Sequence, residues 1–178
     1  MDWLDIKEFL SDTIKYIIFI VVILVIAVYV VGLQQIVGPS MTPTLRNGDI
    51  VILDKLSYRF SEIKRDDIVA LYYADTKFLV KRVVGLPGET VEFKDNKLYI
   101  NGKYYEEKYL GDDIVTDNFS LEELNYTTIP DDMYLVLGDN RGDSMDSRDS
   151  DVGLVPKKDI YGKVRFKIWP INEFKYVK

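Results

Sequence analysis

Phe78-Leu79-Val80-Lys81-Arg82-Val83-Val84-Gly85-Leu86-Pro87-Gly88 is the stretch on which the reading of the fold turns. Residues 78–84 are branched, aromatic or long, and Gly85 and Pro87-Gly88 end the run, so they predict a β-strand. A strand alternates faces, which puts Lys81 with Leu79 and Val83 and puts Arg82 with Val80 and Val84. Runs of the same kind, bounded by Gly, Pro, Asn or Asp, recur at 50–53, 68–73, 90–93, 98–100, 134–137 and 164–169. Asp95-Asn96 and Asn101-Gly102 predict tight hairpin turns on either side of 98–100. The acidic stretch 110–125 has weak periodicity and reads as a surface loop or short helix. No repeat and no regular alternation of helix with strand points to a parallel α/β sheet. The expected fold is mainly β: an antiparallel, barrel-like or sandwich domain over residues 34–178.

Upstream, residues 16–33 carry neither a charge nor an amide. As a helix they would extend about 27 Å, the thickness of a bilayer's hydrocarbon. No small-x-small site follows before Gln34-Gln35, so the run reads as an uncleaved transmembrane signal anchor. Lys7 and Lys15 precede it and Arg46 follows closely. That bias favours a single pass through the cytoplasmic membrane, N-terminus inside and the long domain on the extracytoplasmic face. Within residues 1–15, Trp3, Ile6, Leu10 and Ile14 fall at helical spacing, as an interfacial amphipathic helix or a plain extension of the anchor would have them.

Composition narrows the chemistry. A net charge of −6 argues against a nucleic-acid partner. The chain has no cysteine and no histidine. Disulfides, thiolate nucleophiles and imidazole bases are therefore out, and any metal site would be all-oxygen. If this chain performs nucleophilic catalysis, a serine must be activated without an imidazole, and lysine is the main remaining nitrogen base.

Three places can be weighed. Ser40 lies in Gly38-Pro39-Ser40-Met41-Thr42-Pro43, where the prolines oppose a regular helix or central strand and a fixed turn could present both hydroxyl and backbone N–H. The plain alternative is a Ser/Pro turn leaving a membrane anchor. Lys81 would act as a base only if burial lowered its affinity for a proton from the free value near 10.4. The plain alternative is an exposed edge-strand lysine. The third place is Gly138-Asp139-Asn140-Arg141-Gly142-Asp143-Ser144-Met145-Asp146-Ser147-Arg148. As a calcium loop it fails in both registers, because Arg141 or Met145 falls where an oxygen ligand is needed. Arg141-Gly142-Asp143 also spells a cell-adhesion tripeptide, too short to weigh. In a structured loop Asp146 and Arg148 are placed to pair, and a serine hydroxyl could orient a neutral amine.

Taken together, Pro39-Ser40-Met41-x-Pro43-Thr44-Leu45, Gly48-Asp49-Ile50-Val51, Lys81 to Gly88, and Gly138-Asp139-Asn140-Arg141-x-x-Ser144-x-Asp146-Ser147-Arg148 resemble the signature boxes of bacterial type I signal peptidases. They stand in family order behind the anchor, and the short single-span chain is similar to the small Gram-positive form. The resemblance implies a Ser-Lys dyad with Ser40 as nucleophile and Lys81 as general base, and with Pro39 and Met41 flanking the substrate. Ser144 would orient the lysine, Asp146 would pair with Arg148, and Arg82 would be structural with Asp139 as partner. The oxyanion would meet the Ser40 N–H at the Gly38 turn. In some relatives a serine two positions before the nucleophile helps there; Gly38 departs from this, as Glu89 departs from the aspartate usual after the lysine box. The implied substrates are exported preproteins cut after small-x-small motifs at the bilayer, with no cofactor, no metal and no obligate partner protein. The rivals are a Ser-Lys self-cleaving repressor, a membrane peptidase dedicated to one precursor such as a pilin-type maturase, and a non-catalytic membrane-anchored β module that binds signal sequences.

Overall fold

The computed structural model describes residues 3–73, 77–111 and 113–177. The apolar run lies in one continuous helix, α1 (Trp3–Tyr29). Residues 3–15 simply extend it. Its segment Ile6–Ile26 has a mean hydropathy of 2.4 and none of it is buried against the protein. A helix apolar on every side and unpacked is suited to hydrocarbon.

The helix stops before the apolar run does. Val31–Gln35 form strand β1, so residues 31–33, expected in the anchor, belong to the sheet. Hydropathy cannot separate a lipid-facing turn from a strand, whereas Gly32 disfavours continuing the helix and the ladder to β2 (Ile50–Asp54) secures the strand. The turn between helix and strand is tied down where Lys55 N–H donates to the Val30 carbonyl at 3.0 Å.

The remaining strands are β3 (Ile68–Tyr73), β4 (Lys77–Gly85), β5 (Val91–Lys94), β6 (Lys97–Ile100), β7 (Lys103–Tyr105), β8 (Phe119–Ser120), β9 (Met133–Leu137), β10 (Val155–Pro156), β11 (Ile160–Trp169) and β12 (Lys175–Tyr176). The main sheet runs β1-β2-β11-β3-β4-β9-β10, with β12 on β11, and its recorded pairs are antiparallel. Strand β3 is apolar on both faces because both are covered. Ile68 and Ala70 pack with Met41, Leu45, Val51 and Val164. Val69 and Leu71 pack with Val83, Val136 and Ile160. Although β1 and β4 lie four places apart in strand order, residues 34–37 and 78–80 line one cleft. The sheet therefore curls on itself, which is the barrel-like form expected.

The second sheet, β7-β6-β5-β8, is the hairpin region. Asp95, Asn96, Asn101 and Gly102 have φ of 51°, 60°, 51° and 72°, the left-handed pairs that two-residue hairpins need. Val91, Phe93, Leu98, Ile100 and Phe119 join Val84, Leu135 and Leu137 of the main sheet in one apolar cluster, so the two sheets share a core. The stretch expected as a loop or short helix contributes β8 and a 3-10 turn, Leu121–Leu124. Two strand residues are too few to register as a period.

Candidate active site

The loop carrying Ser40 is closed at its base and pinned at its far end. Ile36 N–H donates to the Asp49 carbonyl at 2.8 Å, and Gly48 N–H donates to the Ile36 carbonyl at 2.9 Å. Met41 and Leu45 sink into the core, 1% and 0% exposed. Gly38 turns the chain at φ +87°, a left-handed value that disfavours side chains. Its N–H donates to Asn47 Oδ1 at 2.9 Å. Gly38 is therefore already engaged, and its N–H is not a spare donor. Among the described residues the Ser40 N–H has no acceptor, and the Ser40 carbonyl accepts from Asn140 N–H at 3.0 Å. Pro39 is exposed and, with the half-buried Ser40, leads into the buried Met41.

The loop 138–148 closes over this turn. Gly138 must be glycine, because a methyl there would collide with the Ser40 carbonyl and the Ser144 hydroxyl. Gly138 N–H donates to Asp146 Oδ2 at 3.0 Å, and Val136 N–H donates to Ser147 Oγ at 3.0 Å. Asp146 pairs with Arg148 at 2.9 Å. Burial alone would raise the Asp146 carboxyl, but the Arg148 bond and charge and the Gly138 N–H hold it below the usual range. Ser144 differs from the expectation. Its Oγ is buried and, among the described residues, makes no bond to Lys81; it lies beside Asp146, whose carboxyl it helps to hold low. The loop is held by Asp146 and Ser147 through their bonds to Gly138 and Val136.

Lys81 is on β4 opposite Val69, with Leu79 and Val83 packed into that side of the core. It is 2% exposed. Among the described residues it has no ion-pair partner, because arginines hold the nearby carboxylates. Arg148 holds Asp146, and Arg82 grips Asp139 through Nε at 2.9 Å and Nη2 at 2.7 Å. Burial consequently pushes the Lys81 ammonium down to about 8; the Arg148 charge adds to this, while Asp146 and Asp139 oppose it. A buried lysine with this affinity is substantially neutral in mildly alkaline water and can accept a proton.

Three links bring Ser40 and Lys81 into one neighbourhood. Val80, next to Lys81, lines a cleft of about 60 Å³ together with Ser40, Met41 and residues 34–37. Asp146 and Asp139 act on Lys81, and their loop touches Ser40 through Gly138 and Asn140. Thr44 Oγ1, four residues after Ser40, donates to Asp139 Oδ2 at 2.5 Å.

Several members of this network had no role in the sequence reading. Arg141 is 3% exposed, donates to Glu107, Thr116 Oγ1 and the Gly138 carbonyl, and so displays no adhesion tripeptide. The Tyr109 ring lies 3.8 Å from the Arg82 guanidinium carbon. Lys167 binds Asp49 at 2.8 Å and Glu173 at 2.6 Å, fixing the base of the Ser40 loop to β11. Only Arg141 and Asp49 lie inside quoted boxes; for the others no local signal existed.

A curled antiparallel sheet with an apolar N-terminal helix and a cleft flanked by a serine turn and a buried lysine belongs to the class of membrane-anchored serine endopeptidases. The model of the family described as "Signal peptidase, peptidase S26" matches residues 10–169, and the chain belongs to that family. It is 36% identical to a Staphylococcus aureus (strain MRSA252) protein named signal peptidase IB, over 96% of this chain and 94% of that one. It is 39% identical to signal peptidase I of Bacillus caldolyticus, over 87% of this chain and 88% of the other. A crystal structure of a signal peptidase I from Enterococcus faecalis V583 superposes with a TM-score of 0.51 at 36% identity, covering 58% of this chain and 97% of that one.

Proposed function

We propose that this chain removes N-terminal signal peptides from exported preproteins, with Ser40 as nucleophile and Lys81 as general base. The observation that carries the assignment is Lys81 itself: buried, without an ion pair among the described residues, its ammonium pushed down to about 8, beside the Ser40 cleft.

In this mechanism the neutral Lys81 amine takes the proton of Ser40 Oγ as the oxygen attacks the scissile carbonyl carbon. The resulting oxyanion faces the unoccupied Ser40 N–H. The lysine proton passes to the leaving amine, giving an ester on Ser40, and water attacks that ester with Lys81 again as base. The Asp146–Arg148 and Asp139–Arg82 pairs engage the carboxylates nearest the lysine, and Ser144, buried beside Asp146, is the hydroxyl assigned to orient the amine. No cofactor or metal is called on.

The cleft favours an extended substrate. Among the described residues, the edge of β4 at 78–80 is paired only with β3, since β9 meets β4 from Arg82 onward. That free edge faces 34–37, so a substrate strand laid between them can bond to both. A cleft this shallow suits small side chains at the cut. The anchor places the domain beside substrates that are themselves in the bilayer, and the flanking charges favour the extracytoplasmic side.

The test is cleavage of a preprotein whose signal ends in Ala-x-Ala by the full chain in phospholipid vesicles. Wild type should cut after that motif, and Ser40→Ala and Lys81→Met should each lose at least about a thousandfold in rate. Cutting that persists in Ser40→Ala would refute the assignment. Binding without cutting by wild type would favour the signal-binding module.

A further inference from the structure

The cleft does not end at Phe78. Beyond it lies a second, wider hollow of about 670 Å³, walled mainly by Val31, Leu33, Leu53, Phe78 and Tyr161, with Lys55 also in its lining. Gln34 and Phe78 line both spaces, so the hollow continues the Ser40 cleft. Its outer wall is preformed: the rings of Tyr72, Phe78 and Tyr161 contact one another with centroids 4.3 to 5.3 Å apart. Leu33 stands 68% exposed on the opposite side. At the floor, Lys55 and Leu53 pack closely over Gly32, where an added Cβ would meet Lys55 Cε at 2.9 Å and Leu53 Cβ at 3.4 Å. The lining is thus mainly apolar, with the Lys55 ammonium set over the Tyr161 ring 5.2 Å from its centroid, and the space is continuous with the reaction cleft.

The position of the hollow indicates what enters it, given the peptidase assignment above, on which this step rests. Val31 follows the last residue of α1 by two positions, so the hollow lies at the anchor end of the cleft. A signal peptide's apolar segment shares the bilayer with the anchor, and the bond to be cut lies at Ser40. The substrate chain before the cut must then run from Ser40 toward Val31. An extended chain advances about 3.3 Å per residue, in step with β1. With the residue before the cut level with Val37, the third residue back is level with Gln35, the fifth with Leu33 and the seventh with Val31. We infer that this hollow is a specificity subsite that takes an apolar side chain from the preprotein, roughly five to seven residues before the scissile bond. It reads the junction between the signal's apolar core and its cleavage motif.

The experiment varies residues five to seven before the cut in a water-soluble peptide that keeps Ala-x-Ala, placing leucine or serine there one at a time. The full chain in phosphatidylcholine vesicles is assayed, and the leucine-to-serine ratio of kcat/KM is read within each enzyme, so a general loss of activity cancels. Wild type should favour leucine by about tenfold at one or two of these positions, chiefly through KM. Leu33→Ser, whose exposed side chain supports no core, and Tyr161→Ser should each bring the ratio to within about twofold of one. Equal rates for leucine and serine in wild type would overturn the subsite, as expected if lipid fills the hollow, and would leave the peptidase assignment standing. A preference that survives both substitutions would also overturn it. Failure of wild type to cut any peptide would overturn both.

Discussion

Two lysines of this protein are almost equally buried, and they are held in opposite ways. Lys81 is 2% exposed and Lys167 is 1% exposed. Lys167 is a paired cation: burial disfavours its charge, but bonds from Asp49 and Glu173 outweigh that and hold its affinity for a proton above the ordinary lysine value. Lys81 stands among carboxylates too, yet Arg148 and Arg82 hold them, and burial wins. Guanidinium forks keep carboxylates more firmly than an ammonium can, so arginine beside lysine decides which cation stays charged. The difference separates a structural lysine from one able to work as a base.

The largest effect expected is on activity. Lys81→Met should abolish cleavage while raising the melting temperature, because the shift from 10.5 to about 8 means the fold bears about 3 kcal/mol when Lys81 is charged. Loss of activity with loss of stability would contradict this. Lys167→Met should do the reverse to the fold. It strands the buried Asp49 carboxylate and should cost about 3 kcal/mol, seen as a lower urea midpoint.

The pH dependence sharpens the contrast further. Below pH 8 Lys81 is charged in both folded and unfolded chains and its cost is constant. Between about 8 and 10.5 the unfolded chain binds the extra proton, so this lysine's contribution to stability rises with pH across that window. The rate should climb with an apparent pKa of about 8. Arg148→Met removes a charge that lowers Lys81 and should move the profile toward alkaline pH, as a pH–kcat/KM series would show. The smallest effect is at Thr44→Val, which loses the hydroxyl bond to Asp139 and should cost about 1 kcal/mol in chemical denaturation.

The sequence made much of this legible, for physical reasons. Strands 68–73 and 78–84 were visible because branched residues ended at strong breakers, and the Asp95-Asn96 and Asn101-Gly102 turns because left-handed pairs need those residues. Strand β1 was hidden inside an apolar run that any hydropathy reading gives to the membrane. Ser40 and Lys81 stood out because a chain without histidine leaves few bases. The Asp146–Arg148 pair was legible in the spacing of the loop itself, whereas the Arg82–Asp139 pair came from family resemblance. The grip of Glu107 and Thr116 on Arg141 spans 34 and 25 residues, and nothing local encodes such contacts. Lys167 looked like any strand lysine until Asp49 and Glu173 were seen around it.

The most direct measurement is a titration of the lysine side-chain nitrogens by NMR in the full chain with ¹⁵N-labelled lysine, with Lys81→Arg and Lys167→Arg assigning the two buried signals. The predicted result is a Lys81 midpoint of about 8 and a Lys167 midpoint above that of the exposed lysines. A Lys81 midpoint near the ordinary 10.5 would contradict the central claim, since a lysine charged at working pH cannot take the serine's proton.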